Sequence, residues 1–176
     1  MELTTWYLEM RDPDELKAAS APAVPVDIVW SELASPAYSR FLYSAVGERW
    51  AWIDRLPWDR EQWCEYLDLP GVETWTAFVR GTPVGYAELD GHRSGEVELV
   101  YFGLMPEFIG QGIGGHLLTA AVERAWKIAD RWEELDAPER VWLHTCSKDS
   151  PMGLANYRAR GFTVYKTETA ETDDPA

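Results

Sequence analysis

At 176 residues and 46% hydrophobic side chains, the chain is long enough for one domain with a buried core and too apolar to be disordered. Its 16 basic and 30 acidic residues leave a net charge of −14, which argues against nucleic acid or an anionic membrane surface as a partner. The acidic excess is first a solubility feature; a cleft that attracts a cationic amine is a second reading of the same charge.

Cys64 and Cys146 form no disulfide framework and read as buried thiols in a reducing cytoplasm. No run reaches the roughly 20 apolar residues of a membrane span. The opening MELTTWYLEM has neither the basic start nor the apolar core of a signal peptide, so a cytoplasmic protein is expected.

In chain order, alternation predicts a strand over Leu3–Met10, stopped by Asp12-Pro13-Asp14. Ala18–Pro25 reads as a loop and Val26–Leu33 as a second strand, which suggests a hairpin with a long loop at one sheet edge. Ser35-Pro36 is a helix start, followed at helical spacing by Tyr38, Phe41, Leu42 and Ala45 as far as Gly47. Asp59 begins another helix, with Trp63, Tyr66 and Leu67 on its apolar side and Pro70-Gly71 as its stop. Trp50, Trp52, Trp58 and Trp63, four of the ten tryptophans, lie in or beside the connection between these helices. Each alone reads as a packing residue; as a cluster they could form an aromatic wall for an alkylammonium or a ring.

Val72–Arg80 and Val84–Asp90 read as a hairpin turning at Gly81-Thr82-Pro83. The stretch Glu96–Leu118 then organises the chain. Glu96, Glu98, Val100 and Phe102 alternate with Val97, Leu99, Tyr101 and Gly103 on a central strand that Pro106 ends. After Gly110, Gly112, Gly114 and Gly115 comes an amphipathic helix with Ile113, Leu117, Leu118, Ala121, Val122, Ala125 and Ile128 on one stripe. Further on, Arg140–Cys146 reads as a buried strand, about Pro151–Arg160 as a short helix, and Phe162–Lys166 as the strand that closes the sheet. Ala170–Ala176 is a polar, acidic tail, expected to be frayed.

Four glycines in six residues before a helix let a ligand approach the backbone, and the free amides of the first turn favour an anion such as a pyrophosphate. Gly110, Gly112 and Gly115 also satisfy the dinucleotide pattern GxGxxG, with Asp130 beyond. The context is wrong for that pattern: Pro106–Ile109 separate strand from glycines, and Asp130 lies within or just after the helix rather than ending a second strand.

The run Ile109–Gly114 instead resembles motif A of the GCN5-related N-acetyltransferases (GNAT), and LANYRARGF, Leu154–Phe162, resembles their second motif, a short helix with a tyrosine ahead of Gly-Phe. The resemblance covers roughly 72–167. It implies an α/β (α+β) fold: a mixed, mostly antiparallel sheet of about six to seven strands flanked by about four helices, with a splayed central strand. One acetyltransferase domain over 1–169 is expected, with 170–176 as the tail.

The resemblance further implies acetyl-CoA as co-substrate, no metal, and direct attack by a primary amine in a ternary complex. ELVYFGL resembles the stretch that carries the general-base glutamate in histone-type members, which falls on Glu98; the other reading of Glu98 is a plain cross-strand partner. Tyr157 matches the tyrosine that protonates the departing thiolate, or else it is simple packing. Backbone groups of Phe102, Gly103 and Leu104 would face the pantetheine arm and thioester, and amides of Gln111, Gly112, Ile113, Gly114 and Gly115 the pyrophosphate, with Asn156 as a pantetheine contact.

Two positions depart from the pattern. Ile109 stands where the family has Arg or Gln, and Ser150 where an asparagine is common, while Asn156 sits beside Tyr157. His92, His116 and His144 show no ligand spacing and read as surface or satisfied core residues. The acceptor, a small-molecule or peptide amine, is open among polyamines, aminoglycosides, amino acids and protein amino termini, and a homodimer is a common family state. A different class of function is a catalytically silent acyl-CoA-binding or sensor domain; a nicotinamide oxidoreductase ranks behind both.

Overall fold

The computed structural model describes residues 2–50 and 52–171. The strands are β1 Glu2–Met10, β2 Asp27–Trp30, β3 Val72–Val79, β4 Thr82–Asp90, β5 Glu96–Leu104, β6 Arg140–Cys146 and β7 Thr163–Glu171. The helices are α1 Pro36–Gly47, α2 Arg60–Leu67, α3 Ile113–Trp126 and α4 Gly153–Ala159. The strands form one mixed, open sheet in the order β2-β3-β4-β5-β6-β1-β7, so fold class and helix number agree with the sequence.

Local chemistry fixes the helix starts. Ser35 Oγ accepts from the Tyr38 amide at 3.3 Å. Asp59 and Gln62 form a reciprocal capping box, each side chain bonding the other's backbone amide at 2.9 Å. The β3–β4 turn is Arg80-Gly81, both with positive φ, 51° and 82°, the two-residue geometry that matches strand twist.

The expected β1–β2 hairpin does not exist. β1 pairs with β6 (Leu8 opposite Leu143) and with β7 (Thr4 opposite Thr169), whereas β2 pairs only with β3 as an edge strand. Leu8 and Met10 are fully buried, which suits an inner strand flanked on both sides. The segment between β1 and β2 therefore crosses from one half of the sheet to the other. β7 also runs further than expected, pairing Ala170 with Leu3 and Glu171 with Glu2; residues 172–176 of the tail lie outside the described residues.

One face of the sheet carries α3, whose Ile113, Leu117, Leu118, Ala121, Val122 and Ala125 pack with Leu8, Leu89, Leu99, Leu104 and Leu143. Each such fully buried large side chain contributes about 1.5–3 kcal/mol. The other face of the β3–β5 half carries α1, through Leu42 and Val46 against Tyr86 and Met105, and α2, through Trp63 and Leu67 against Val72.

Two irregularities in β5 shape everything that follows. β5 and β6 are parallel partners over Glu96–Arg140, Val97–Val141 and Glu98–Trp142, after which the strands diverge and, among the described residues, Leu99–Leu104 has no strand partner on that side. Against β4, the register slips: Leu89 faces Leu99 but Glu88 faces Tyr101, which leaves Val100 as a bulge. The simple alternation expected for this strand thus breaks. Directly opposed residues share a face, so the extra residue sends Phe102 and Leu104 to the α3 side and Tyr101 and Gly103 to the α1 side.

Candidate active site

The opening between β5 and β6 joins the two faces of the sheet, and the expected site residues sort themselves around it. On the α1 side, Glu98 stands at the last paired position. Its Oε1 lies 3.3 Å from His144 Nδ1 on β6, with the carboxylate 19% and the imidazole 48% exposed. His144 is flanked by the rings of Tyr7 and Trp142, with centroids at 5.8 and 6.2 Å. Its hydrogen bond to Glu98 raises the imidazole pKa above the ordinary value, against a smaller opposing effect of burial, and the carboxylates of Glu98, Asp149 and Asp54 add to the rise.

On the α3 side, Tyr157 is buried at 8% exposure, its ring 5.9 Å from Phe102 of β5 and 6.3 Å from Phe162. Burial first, and then the Asp149 charge, pushes its phenol pKa well above the usual value. The phenol therefore holds its proton throughout the neutral range.

The glycine loop leads into α3 without a side-chain cap: Gly112 is the N-cap residue, in the left-handed region at φ 77°, and no acidic residue occupies the first turn. Gly110 also has positive φ, 87°, and a Cβ built on it would meet nothing within 4 Å. The first-turn amides of Ile113, Gly114 and Gly115 thus line an uncapped cradle, a setting that favours an anion. Gln111 is exposed and folds its side-chain amide back onto the Glu107 carbonyl at 3.3 Å.

Neighbouring segments wall this cradle. Asn156 of α4 lies beside the first turn, its Nδ2 3.8 Å from a Cβ built on Gly114. Arg160 follows α4 and reaches the same turn at Gly115. The crossing segment from β1 passes here too: the Ala19 amide donates to Thr119 Oγ1 at 2.9 Å, the Lys17 amide to the Arg160 carbonyl at 2.9 Å, and Pro22 lies 3.9 Å from a Cβ built on Gly112.

Across the mouth of the opening, Asp149 accepts from Thr145 Oγ1 at 2.8 Å, from the Cys146 amide at 3.1 Å, and from Trp52 Nε1 at 3.4 Å. The Trp52 ring lies on Tyr101 of β5, centroids 4.8 Å apart. Trp58 and Trp63 have a different role. With Tyr66 and Tyr101 they surround the guanidinium of Arg55, whose Cζ is 4.7, 5.5, 4.2 and 4.6 Å from the four rings in that order. Arg55 in turn pairs with buried Glu88, Nη1 to Oε1 at 2.8 Å. The aromatic wall suggested for an acceptor is thus occupied at Trp58 and Trp63 by the chain's own cation, whereas Trp52 borders the opening.

The sequence left Asp149 and Arg160 unnamed and read His144 as a surface or satisfied core residue, whereas it pairs with Glu98. Asp149 had a weak signal, an aspartate just after a strand where its carboxylate caps the strand's end. Arg160 had a paired one: two consecutive glycines at a helix start leave room for a neighbouring side chain.

The family model for the acetyltransferase (GNAT) family matches residues 30–162. The chain belongs to the GNAT family. Among solved structures it resembles a GCN5-related N-acetyltransferase from Kribbella flavida (TM-score 0.65, 18% identity, 94% of this chain and 56% of that one). It also resembles a tandem GNAT protein from the clavulanic acid biosynthesis pathway (TM-score 0.54, 16% identity, 97% of this chain and 55% of that one). A third is an aminoglycoside N-acetyltransferase in complex with CoA (TM-score 0.51, 20% identity, 86% of this chain and 94% of that one). At these identities the likeness is one of fold. The GNAT chain spans 56%, 59% and 49% of the first three solved structures it matches. No curated protein matches it.

Proposed function

We propose that this GNAT domain is an acetyl-CoA-dependent N-acetyltransferase in which an acceptor amine attacks the thioester directly in a ternary complex. The observation that carries the reading is the two-faced opening between β5 and β6. The uncapped glycine turn of α3 and a protonated phenol lie on one side of it, and a carboxylate–imidazole pair on the other. Acetyl-CoA supplies the activated acetyl group.

The residues divide the work by face. Amides of Gln111, Gly112, Ile113, Gly114 and Gly115 bind the pyrophosphate, and Asn156 with the backbone of Phe102, Gly103 and Leu104 orients the pantetheine arm. Glu98 takes the proton of the incoming ammonium through water, since it is solvent-accessible but set back in the sheet. Tyr157, which burial keeps protonated, gives its proton to the departing thiolate. The β5 amides freed by the divergence from β6 are fixed dipoles for the developing oxyanion.

The acceptor is an amine, a small molecule or a peptide terminus, drawn to the carboxylates of Glu98, Asp149 and Asp54 that already act on His144. The two cysteines are free thiols, as suits the cytoplasm we assign to the protein.

Titration calorimetry with acetyl-CoA, with NAD as control, followed by an amine panel read as free-thiol release, tests the proposal. Acetyl-CoA binding with amine-dependent thiol release is expected. Binding without release for any amine would leave a silent acyl-CoA-binding domain, and preference for NAD would sink the family chemistry altogether.

A further inference from the structure

Arg160 brings a cation to the first turn of α3. A Cβ built on Gly115 would fall 2.7 Å from Arg160 Nη1, 3.0 Å from the Ala19 Cβ and 3.7 Å from Asn156 Oδ1, so the missing side chain at Gly115 is what admits the guanidinium. Arg160 is half-buried, and its Nε is enclosed without a hydrogen-bond partner. Among the described residues no carboxylate pairs with it.

This placement is unfavourable for the protein alone. The N-terminal end of a helix carries positive potential, α3 has no acidic residue in its first turn, and no side chain caps its amides. A second positive group beside it is repelled, and the enclosed Nε has lost hydration that no hydrogen bond replaces. An anion held between Gly115 and Arg160 relieves both. Position 109, which in the resembled family carries an Arg or Gln, here holds an exposed isoleucine, 44% accessible, with no charge to offer.

We propose that Arg160 supplies, from the end of α4, the side-chain contact to the coenzyme pyrophosphate that Ile109 does not make. The inference rests on the acetyl-CoA reading. It makes Arg160 a binding residue with no part in the chemical step, and it assigns Gly115 a role in specificity of fit: any larger residue there displaces the cation.

The test compares wild type, Arg160→Gln and Arg160→Lys by calorimetric titration with CoA and with dephospho-CoA, which lacks the 3′-phosphate but keeps the pyrophosphate. A charge-assisted contact of this kind predicts a loss of about 10- to 100-fold in affinity for Arg160→Gln, equal for the two ligands, with part retained by lysine. The ligand-free melting temperature of Arg160→Gln should hold or rise, because a repelled cation is removed; a purely structural arginine would lower it. Ile109→Arg in the Arg160→Gln background should recover affinity. Unchanged affinity in Arg160→Gln, with wild type still binding, overturns the role of Arg160 and leaves the acetyl-CoA reading intact. A loss seen with CoA but not with dephospho-CoA overturns the pyrophosphate assignment in favour of the 3′-phosphate. Failure of the wild type to bind either ligand overturns the reading and the inference together.

Discussion

The indole of Trp52 and the carboxylate of Asp149, 3.4 Å apart, tie together two strands that have stopped pairing. Trp52 lies on Tyr101 of β5, and Asp149 is held by Thr145 and Cys146 of β6, so their bond spans the mouth of the opening. Trp58, equally aromatic and six residues on, packs on Arg55 instead. The two tryptophans should therefore fail differently. Trp52→Ala is expected to raise the acceptor KM by about tenfold or more through lost positioning, with coenzyme affinity retained. Trp58→Ala should lower the melting temperature, as loss of a large packed ring does, and leave the acceptor KM alone. Steady-state kinetics beside a thermal scan separates the cases; equal KM effects would mean that the aromatic cluster acts as one wall.

The Glu98–His144 pair predicts a pH dependence with a definite sign. The His144 pKa is raised, chiefly by the Glu98 hydrogen bond, with Asp149 and Asp54 adding to it; Tyr7 and Trp142 face the ring without carrying charge at neutral pH. The stability that the pair contributes is present below the unfolded-state histidine pKa and is lost as pH rises through the raised folded value. Catalysis should run the other way: imidazolium holds the Glu98 carboxylate, and its deprotonation frees that carboxylate for the incoming amine. The acidic limb of kcat/KM should accordingly lie above the ordinary histidine range and move toward lower pH in His144→Gln. A limb unmoved by that substitution would detach His144 from the base.

Arg55 and Glu88 are both nearly inaccessible, at 5% and 1% exposure, and hold each other with help from Tyr66, whose hydroxyl donates to Glu88 Oε1 at 2.9 Å. Burial raises the Glu88 pKa, and the arginine opposes that rise. Removing one partner leaves the other charge buried and alone. Glu88→Gln is expected to cost about 3–5 kcal/mol of unfolding free energy, whereas Arg55→Met with Glu88→Leu should cost much less, because no orphan charge remains. Urea unfolding of Arg55→Met, Glu88→Leu and the double carrying both closes the cycle; additive losses would show that the pair is not coupled.

The parts of this fold written in local chemistry were legible. Ser35 and Asp59 announced their helices because a cap needs a side-chain oxygen at one position, and the glycine loop announced itself because positive φ at Gly110 and Gly112 admits little else. Long-range choices were not. The alternation of Leu3–Met10 is the same whether its partner is β2 or β6, so the sequence period could not place β1 between β6 and β7. The bulge at Val100 left no trace either, since ELVYFG reads as unbroken alternation, yet it decides that Phe102 and not Tyr101 faces the α3 side of the opening. His144, Asp149 and Arg160 owe their positions to those choices and were hidden with them.

Tyr157→Phe isolates the acid. The substitution keeps the ring that packs on Phe102 and Phe162 and removes only the hydroxyl, so folding and coenzyme binding should persist. A positioned general acid is worth about 10²–10⁴-fold, so kcat should fall by about 10² or more with the KM for acetyl-CoA changed by no more than a few-fold. Because burial and Asp149 hold the phenol protonated well above its usual range, the loss should be constant across neutral pH and should not create or shift a limb of the profile there. An acetyl thioester of a more acidic thiol needs less help in leaving, and the defect should shrink with it. If Tyr157→Phe keeps full turnover with acetyl-CoA itself, the thiolate takes its proton from water in the opening, and Tyr157 is there to close the α3 side of the sheet against Phe102.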